Sequence, residues 1–296
     1  MDAPRGRGRL TVIASGALIV IAAAVAVAAH LWTAVDASAG PVAPSSHPGR
    51  AARPAVVASS HGVYSPAPPA SSSAPALPLA GRVVGIDPGH NGGNGADPAY
   101  IDRMIWNGRE SETCDTTGTE TDGGYTEATF NFNVAMYLRS DLKRQGAKVV
   151  LTRTSNDGVG PCVTSRSQIL NDAHSDVAID IHADGGPPGG RGFTVLEPVA
   201  DGPNDKVVAS SDRFGHDVKT AMLGGTPMPI SDYYGHDGYQ PRDDLAGLNL
   251  TTVPKILIEC GNMRNAVDAR ILTSSSFQKQ LAKALAGAID RFLATS

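Results

Sequence analysis

Aromatic side chains are scarce in this sequence, at 5% of 296 residues, and positive charge is not in excess, with 25 Lys and Arg against 29 Asp and Glu. A net charge of -4 lacks the basic footprint of a nucleic-acid-binding chain. Three cysteines allow one disulfide and one leftover thiol. No repeat with a period of roughly 20–50 residues is visible, which excludes solenoids. No exposed apolar seam stands out either, so the expected state is a monomer. What the chain has in quantity is Ala, Gly and Pro, and they are spread unevenly.

Arg5, Arg7 and Arg9 precede an apolar run from Leu10 to Trp32, the pattern of an export signal. About 20 apolar residues span a bilayer as a helix. Residues 10–32 therefore read either as an uncleaved anchor with its positive end inside, or as part of a signal cleaved after Ala39. Ala37-Ser38-Ala39 supplies the small residues that cleavage needs. Both readings put the rest of the chain outside the cytoplasmic membrane, secreted or held in the cell envelope, with residues 1–39 as the export segment. Residues 40–80 are mostly Pro, Ala, Ser and Val. They offer too little apolar area to offset ordering entropy, and are expected to form an extended spacer. A single domain is expected over residues 81–296.

In that domain strand and helix patterns alternate. Arg82–Asp87 is a β-rich run stopped by Pro88-Gly89, and residues 91–125 read as a long loop. Thr126 is a good N-cap for a helix carrying Phe130, Val134, Leu138 and Leu142 at i+4, with Gly146 as its stop. Strands are expected at 148–153, 177–181, 192–197 and 255–259. Helices are expected at 165–174, 206–223 and 275–293, and a second long loop at 224–253. The alternation implies an α/β fold, with a mixed, largely parallel twisted sheet and helices on both faces.

Three polar residues sit where strands end: His90, His182 and Glu259. Glu127 opens the first helix. Ligands of open α/β sheets bind at the carboxyl ends of strands, so residues far apart in sequence meet there. Two histidines and a carboxylate make a sufficient zinc set, and a second carboxylate nearby can serve as general base. Each residue alone has an ordinary explanation: a His beside Gly as a turn, a Glu in a first helical turn as a response to the helix dipole. A carboxylate ending Ile256-Leu257-Ile258 is harder to dismiss, because a buried unpaired charge is costly.

Taken in order, Asp87-Pro88-Gly89-His90-Asn91-Gly92-Gly93, the helix-opening Glu127, Ile179-Asp180-Ile181-His182-Ala183-Asp184 and Ile258-Glu259-Cys260-Gly261-Asn262 resemble the zinc-dependent N-acetylmuramoyl-L-alanine amidases. Leu151-Thr152-Arg153, Arg166 with Asn171, and Val253-Pro254 extend the likeness over nearly all of residues 82–294. The resemblance implies one Zn2+ per chain on His90, Glu127 and His182, with Glu259 as the catalytic carboxylate. It also implies hydrolysis of the amide between N-acetylmuramic acid and L-alanine, so that the partner is peptidoglycan. The segment with Cys114 and Gly160-Pro161-Cys162 looks like the subgroup with a single catalytic domain. Asn91 stands where Gly is commoner in the family, and Asp180 where Ser is frequent. Two other readings share these residues: a zinc peptidase acting on the stem peptide, and a cell-wall-binding module without activity.

Cys114 and Cys162, in Gly- and Thr-rich loops of an exported chain, are expected to pair and pin the long loop over the site. Cys260 should face away from Glu259 by strand alternation. Arg166 is a candidate structural or substrate-side guanidinium. His236, in a loop ahead of the last strand, is a candidate substrate contact. His174 and His216 read as surface residues.

Overall fold

The computed structural model describes residues 77–296. The expected export segment and nearly all of the spacer lie outside the described residues. The first strand, β1 (Val83–Pro88), leads through a 3-10 turn (Asn94–Ala96) and a one-turn helix, α1 (Pro98–Ile101), into a hairpin of β2 (Met104–Trp106) and β3 (Ser111–Thr113). Then come α2 (Glu127–Arg144), β4 (Lys148–Leu151), α3 (Val163–Asp172), β5 (Val177–Asp184), β6 (Thr194–Pro198) and α4 (Val208–Gly225). The chain finishes with β7 (Tyr239–Arg242), α5 (Ala246–Asn249), β8 (Lys255–Asn262), α6 (Ala266–Leu272) and α7 (Ser275–Ala294).

Six strands form one sheet in the order β4-β1-β5-β8-β6-β7. The first four run parallel, while β6 pairs antiparallel to β8 and parallel to β7. Helices cover both faces, as the alternating pattern implied. The two long loops are less empty than their composition suggested: the first holds α1 and the β2–β3 hairpin, the second β7 and α5. These elements are three or four residues long, below the length at which periodicity distinguishes them.

Strand alternation separates two kinds of surface. One face carries Val84 and Ile86, Ile179 and Ile181, and Ile256 and Ile258, all fully buried. It packs against Phe130, Val134, Leu138 and Leu142 of α2, Phe214 and Val218 of α4, and Leu281, Leu285 and Ile289 of α7. Each such aliphatic side chain contributes on the order of 1.5–3 kcal/mol on burial, so this face anchors the domain. Leu79 joins it, 1% exposed, with its N–H donated to the Gln145 carbonyl, so the packed chain already begins there. The opposite face carries Gly85, Asp87, Ala178, Asp180, His182, Lys255, Leu257 and Glu259. A side chain at Gly85 would sit 2.5 Å from Leu170 of α3, which shows how closely that helix covers the small residues. Toward the carboxyl ends of the strands the same face turns polar.

Candidate metal centre

The parallel arrangement delivers the site residues to one end of the sheet. β1 stops at Pro88, and the chain turns through Gly89 to His90, which takes a left-handed backbone with φ 55°. β5 supplies His182 and β8 supplies Glu259, and these two are direct register partners. Glu127 is the first residue of α2, whose N-cap Thr126 accepts the Thr129 N–H at 3.3 Å. A carboxylate here is favoured by the positive end of the helix dipole. Gly89 is required sterically, because a Cβ there would lie 2.1 Å from the His182 ring, and the imidazole rests on bare backbone.

The two imidazoles and Glu127 converge. His182 Nδ1 lies 2.8 Å from Glu127 Oε1, and His90 Nε2 lies 3.2 Å from Glu127 Oε2. The rings stand edge to face, with centroids 4.8 Å apart. The outer nitrogen of each ring also faces a polar group. His90 Nδ1 is 3.1 Å from the Thr116 carbonyl and 3.4 Å from Asp115 Oδ1, while His182 Nε2 is 3.3 Å from Asp180 Oδ1. Glu127 is fixed by the Thr119 N–H at 2.9 Å and the Ala183 N–H at 3.3 Å. His90, Glu127 and His182 form a group able to hold a metal ion. Two nitrogens and a carboxylate oxygen, with the outer ring nitrogens facing other polar groups, are the donor set and surroundings that zinc uses.

Electrostatics point the same way. Burial alone would lower the His90 and His182 pKa values, but Glu127, Asp115 and Asp180 reverse this. His90 is raised to about 9 and His182 well above its ordinary value. Burial would likewise raise Glu127, yet the histidines hold it well below the usual carboxylate range. The cluster therefore attracts positive charge, the condition that a divalent cation satisfies. Glu259 differs. Burial, reinforced by Glu127 and Asp184 against the pull of the histidines, pushes it up to about 8. Its Oε2 is buried and without a hydrogen-bond partner among the described residues. That oxygen lies on the strand residue paired in register with His182.

The family model described as N-acetylmuramoyl-L-alanine amidase matches residues 84–291. The chain belongs to this family. An N-acetylmuramoyl-L-alanine amidase of Mycobacterium tuberculosis is 39% identical over 238 residues, covering 77% of this chain and 94% of that protein. The crystal structure of the amidase Ami1 from Mycobacterium smegmatis superposes with a TM-score of 0.69 at 36% identity, over 74% of this chain and 99% of that one. Ami1 from Mycobacterium abscessus, in its apo form, gives the same score at 38% identity, over 73% and 100%. The protein is thus a peptidoglycan-hydrolysing amidase, with the fold expected of that family.

The structure assigns the amidase's remaining candidates more sharply than sequence did. Arg166 is buried, and all its donors are spent inside the protein: on Pro161 O, on Asp87 Oδ1 and Pro88 O, and on His90 O and Asp115 Oδ2. A guanidinium has five N–H groups, so none is left for substrate; it braces the His90 turn instead. His236 is exposed, its backbone paired with Tyr239, and it does not line the cavity beside the ligand set. From the same loop it is Tyr233 that reaches toward the site, donating its hydroxyl to Asp184 at 2.7 Å. Cys114 and Cys162 are joined, with Cα atoms 4.8 Å apart. That bond ties the segment bearing Asp115 and Thr116 to the start of α3. Cys260 packs in the aliphatic core, away from Glu259, and burial pushes its thiol well up.

Two openings lie among the residues around the ligand cluster. One is a cavity of about 190 Å³ between His90, Asp180 and His182 on one wall and Leu245, Leu248 and Leu257 on the other. The second is a polar groove of about 590 Å³ along Thr117–Glu120, with Gly185 and Arg264 at its edge. Sequence reasoning gave no role to Asp87 and Asp180, which it quoted only within motifs, and missed Asp115, Lys255, Tyr233 and Arg264. The alternation of Ile179-Asp180-Ile181-His182 was the available signal, since it places Asp180 on the same face as His182.

Proposed function

We propose that this amidase cleaves the bond between N-acetylmuramic acid and the L-alanine of the stem peptide, using one zinc ion held by His90 Nε2, Glu127 and His182 Nδ1. The observation that carries the reading is the convergence of those three donors, with the outer nitrogen of His90 hydrogen-bonded to the Thr116 carbonyl and that of His182 facing Asp180. Such an ion supplies Lewis acidity and makes hydroxide available near neutral pH. Glu259, adjacent in register to His182, takes the proton of the attacking water and returns it to the departing amine. The histidines only partly oppose the burial that raises Glu259, and the charge of a bound cation would further favour the ionised form that a base requires. Arg166, Arg153 and Thr152 do not touch substrate. They hold the Asp87–His90 turn, Arg153 through the carbonyls of Pro88, Gly89 and Ala128 and Thr152 through Asp87.

The cavity lined by His90 and His182 and the groove along Thr117–Glu120 offer separate surfaces for the sugar and peptide sides of the scissile amide. The basic-then-apolar N-terminal sequence supports an activity outside the cytoplasmic membrane, on peptidoglycan, by a chain that acts as a monomer. Purified muropeptides and elemental analysis test the reading together. One zinc per active chain, intact muramic lactyl groups and new L-alanine amino termini are expected. Cleavage between two amino acids of the stem would make the enzyme a peptidase, and active protein devoid of zinc would remove the metal from the scheme.

A further inference from the structure

Beneath the ligand set the polar face of the sheet holds an ion cluster that the reaction scheme does not use. Lys255, on β8, is 1% exposed, an unusual place for an ammonium. Its Nζ lies 3.1 Å from Asp87 Oδ2 and 3.3 Å from Asp180 Oδ2. Asp87 is otherwise fully engaged, by Thr152 and Arg166 at its Oδ1. Asp180 is not. With Lys255 at its Oδ2, its Oδ1 is buried and makes no aligned hydrogen bond among the described residues. That oxygen sits 3.3 Å from His182 Nε2.

The two ring nitrogens of His182 face different groups, Nδ1 the Glu127 carboxylate and Nε2 Asp180. An imidazole that ligates through Nδ1 carries its proton on Nε2, and a buried N–H needs an acceptor. Asp180 Oδ1 is the acceptor within reach. Burial would push the Lys255 ammonium down, but Asp180 and Asp87 hold it above its ordinary value, so it stays a cation anchoring both carboxylates.

We propose that Asp180, clamped by Lys255, is the positioning residue that fixes His182 with Nδ1 toward the ligand position, and that the Asp180–Lys255 pair thereby sets the zinc affinity. This rests on the zinc reading above. Outer-shell partners of metal-ligating histidines change metal affinity by roughly 10–100-fold when removed. Asp180→Asn should act at the upper end of that range. Its amide carbonyl would turn to the Lys255 ammonium, presenting an NH2 to Nε2 and favouring the tautomer with the proton on Nδ1. Asp180→Ser, whose hydroxyl can accept from Nε2–H but cannot bridge to Lys255, should lose less.

The test uses the full-length chain with zinc as the only probe. Competition against a chelating dye gives the affinity, and proton NMR of the zinc-loaded wild type with 15N-labelled histidine gives the ring state. A slowly exchanging, downfield Nε2–H signal from His182 is expected, with Nδ1 unprotonated. Loss of that signal in Asp180→Asn and its weakening in Asp180→Ser, together with weaker zinc binding at unchanged helical circular dichroism, support positioning over a merely structural role. If Asp180→Asn does not fold, the Ser variant and the wild-type ring state still decide. Zinc affinity within twofold of wild type in a folded variant, or a wild-type His182 protonated on Nδ1, overturns the proposal alone. A wild-type chain that binds no zinc overturns the zinc reading along with it.

Discussion

The two faces of this sheet handle charge in opposite ways, though both present a strand that ends its apolar run in glutamate. Glu259 follows Ile256-Leu257-Ile258 on β8, and Glu197 follows Val195-Leu196 on the neighbouring β6. Burial raises both, Glu259 to about 8 and Glu197 to about 7. Each keeps one oxygen buried and without a hydrogen-bond partner among the described residues. Thr194 is the register partner of Glu259, so alternation turns Glu197 to the other face, where its Oε1 rests against Gly215 of α4. There its charged neighbours are Asp212 and Lys219, and no histidine pair accompanies it. A raised carboxyl is therefore no signature of catalysis by itself. What distinguishes Glu259 is its company: two imidazoles, Glu127, and the polar network that fixes them.

The largest expected effect would break that comparison outright. Glu259→Gln should lower kcat by roughly 10²–10⁴-fold, the usual contribution of a general acid–base group, while zinc content stays at one per chain. Glu197→Gln should leave kcat within about twofold. Comparable losses in the two variants would mean that burial of a strand-end carboxylate, and not the ligand set beside it, marks the working residue.

Much of this was readable before the fold was known, because the residues carrying it obey simple periodicities. Phe130, Val134, Leu138 and Leu142 at i+4 all enter the core, as do Phe277, Leu281, Leu285 and Ile289. His90, His182 and Glu259 were visible as polar residues at strand ends, and Glu127 as a helix opener. The bracing network was not legible for a physical reason. Asp87, Asp180, Arg166 and Lys255 are tolerable in the interior only because each finds the others, and pairing between strands and helices far apart in sequence leaves no local pattern. Lys255 opened the expected strand at 255–259 with no role attached to it, and it is one of the least exposed residues of that strand. The β2–β3 hairpin and α5 escaped because they are too short for periodicity to reveal them.

An intermediate effect concerns how the polar face is held together. The apolar face depends on packing, whereas the segment carrying Asp115 and Thr116 is tied to α3 by the Cys114–Cys162 bond. With the cysteines 48 positions apart in sequence, replacing both by Ser should cost on the order of 2–4 kcal/mol of stability. Denaturant unfolding under non-reducing conditions measures this. Because Asp115 and Thr116 contact His90 Nδ1, zinc affinity should fall as well. Loss of stability with unchanged zinc affinity would show that the disulfide serves the fold and not the site.

The smallest effect sharpens the contrast from the Glu197 side. A carboxyl whose folded pKa lies above its unfolded value binds more protons in the native state between the two. Its contribution is therefore most favourable at low pH and is lost as pH rises from the ordinary 4.5 toward about 7. Above that window wild type carries a half-buried carboxylate disfavoured by burial and by Asp212, against partial compensation from Lys219. Glu197→Gln removes the ionisation, and should stabilise the protein by roughly 1 kcal/mol at pH 8 once solvent screening is allowed for. That corresponds to a rise of about 2–4 °C in Tm for a domain of this size, and the gain should vanish below pH 4.5. A Tm difference that does not change with pH would mean that Glu197 is neutral or solvated throughout, and that its likeness to Glu259 ends with the strand pattern.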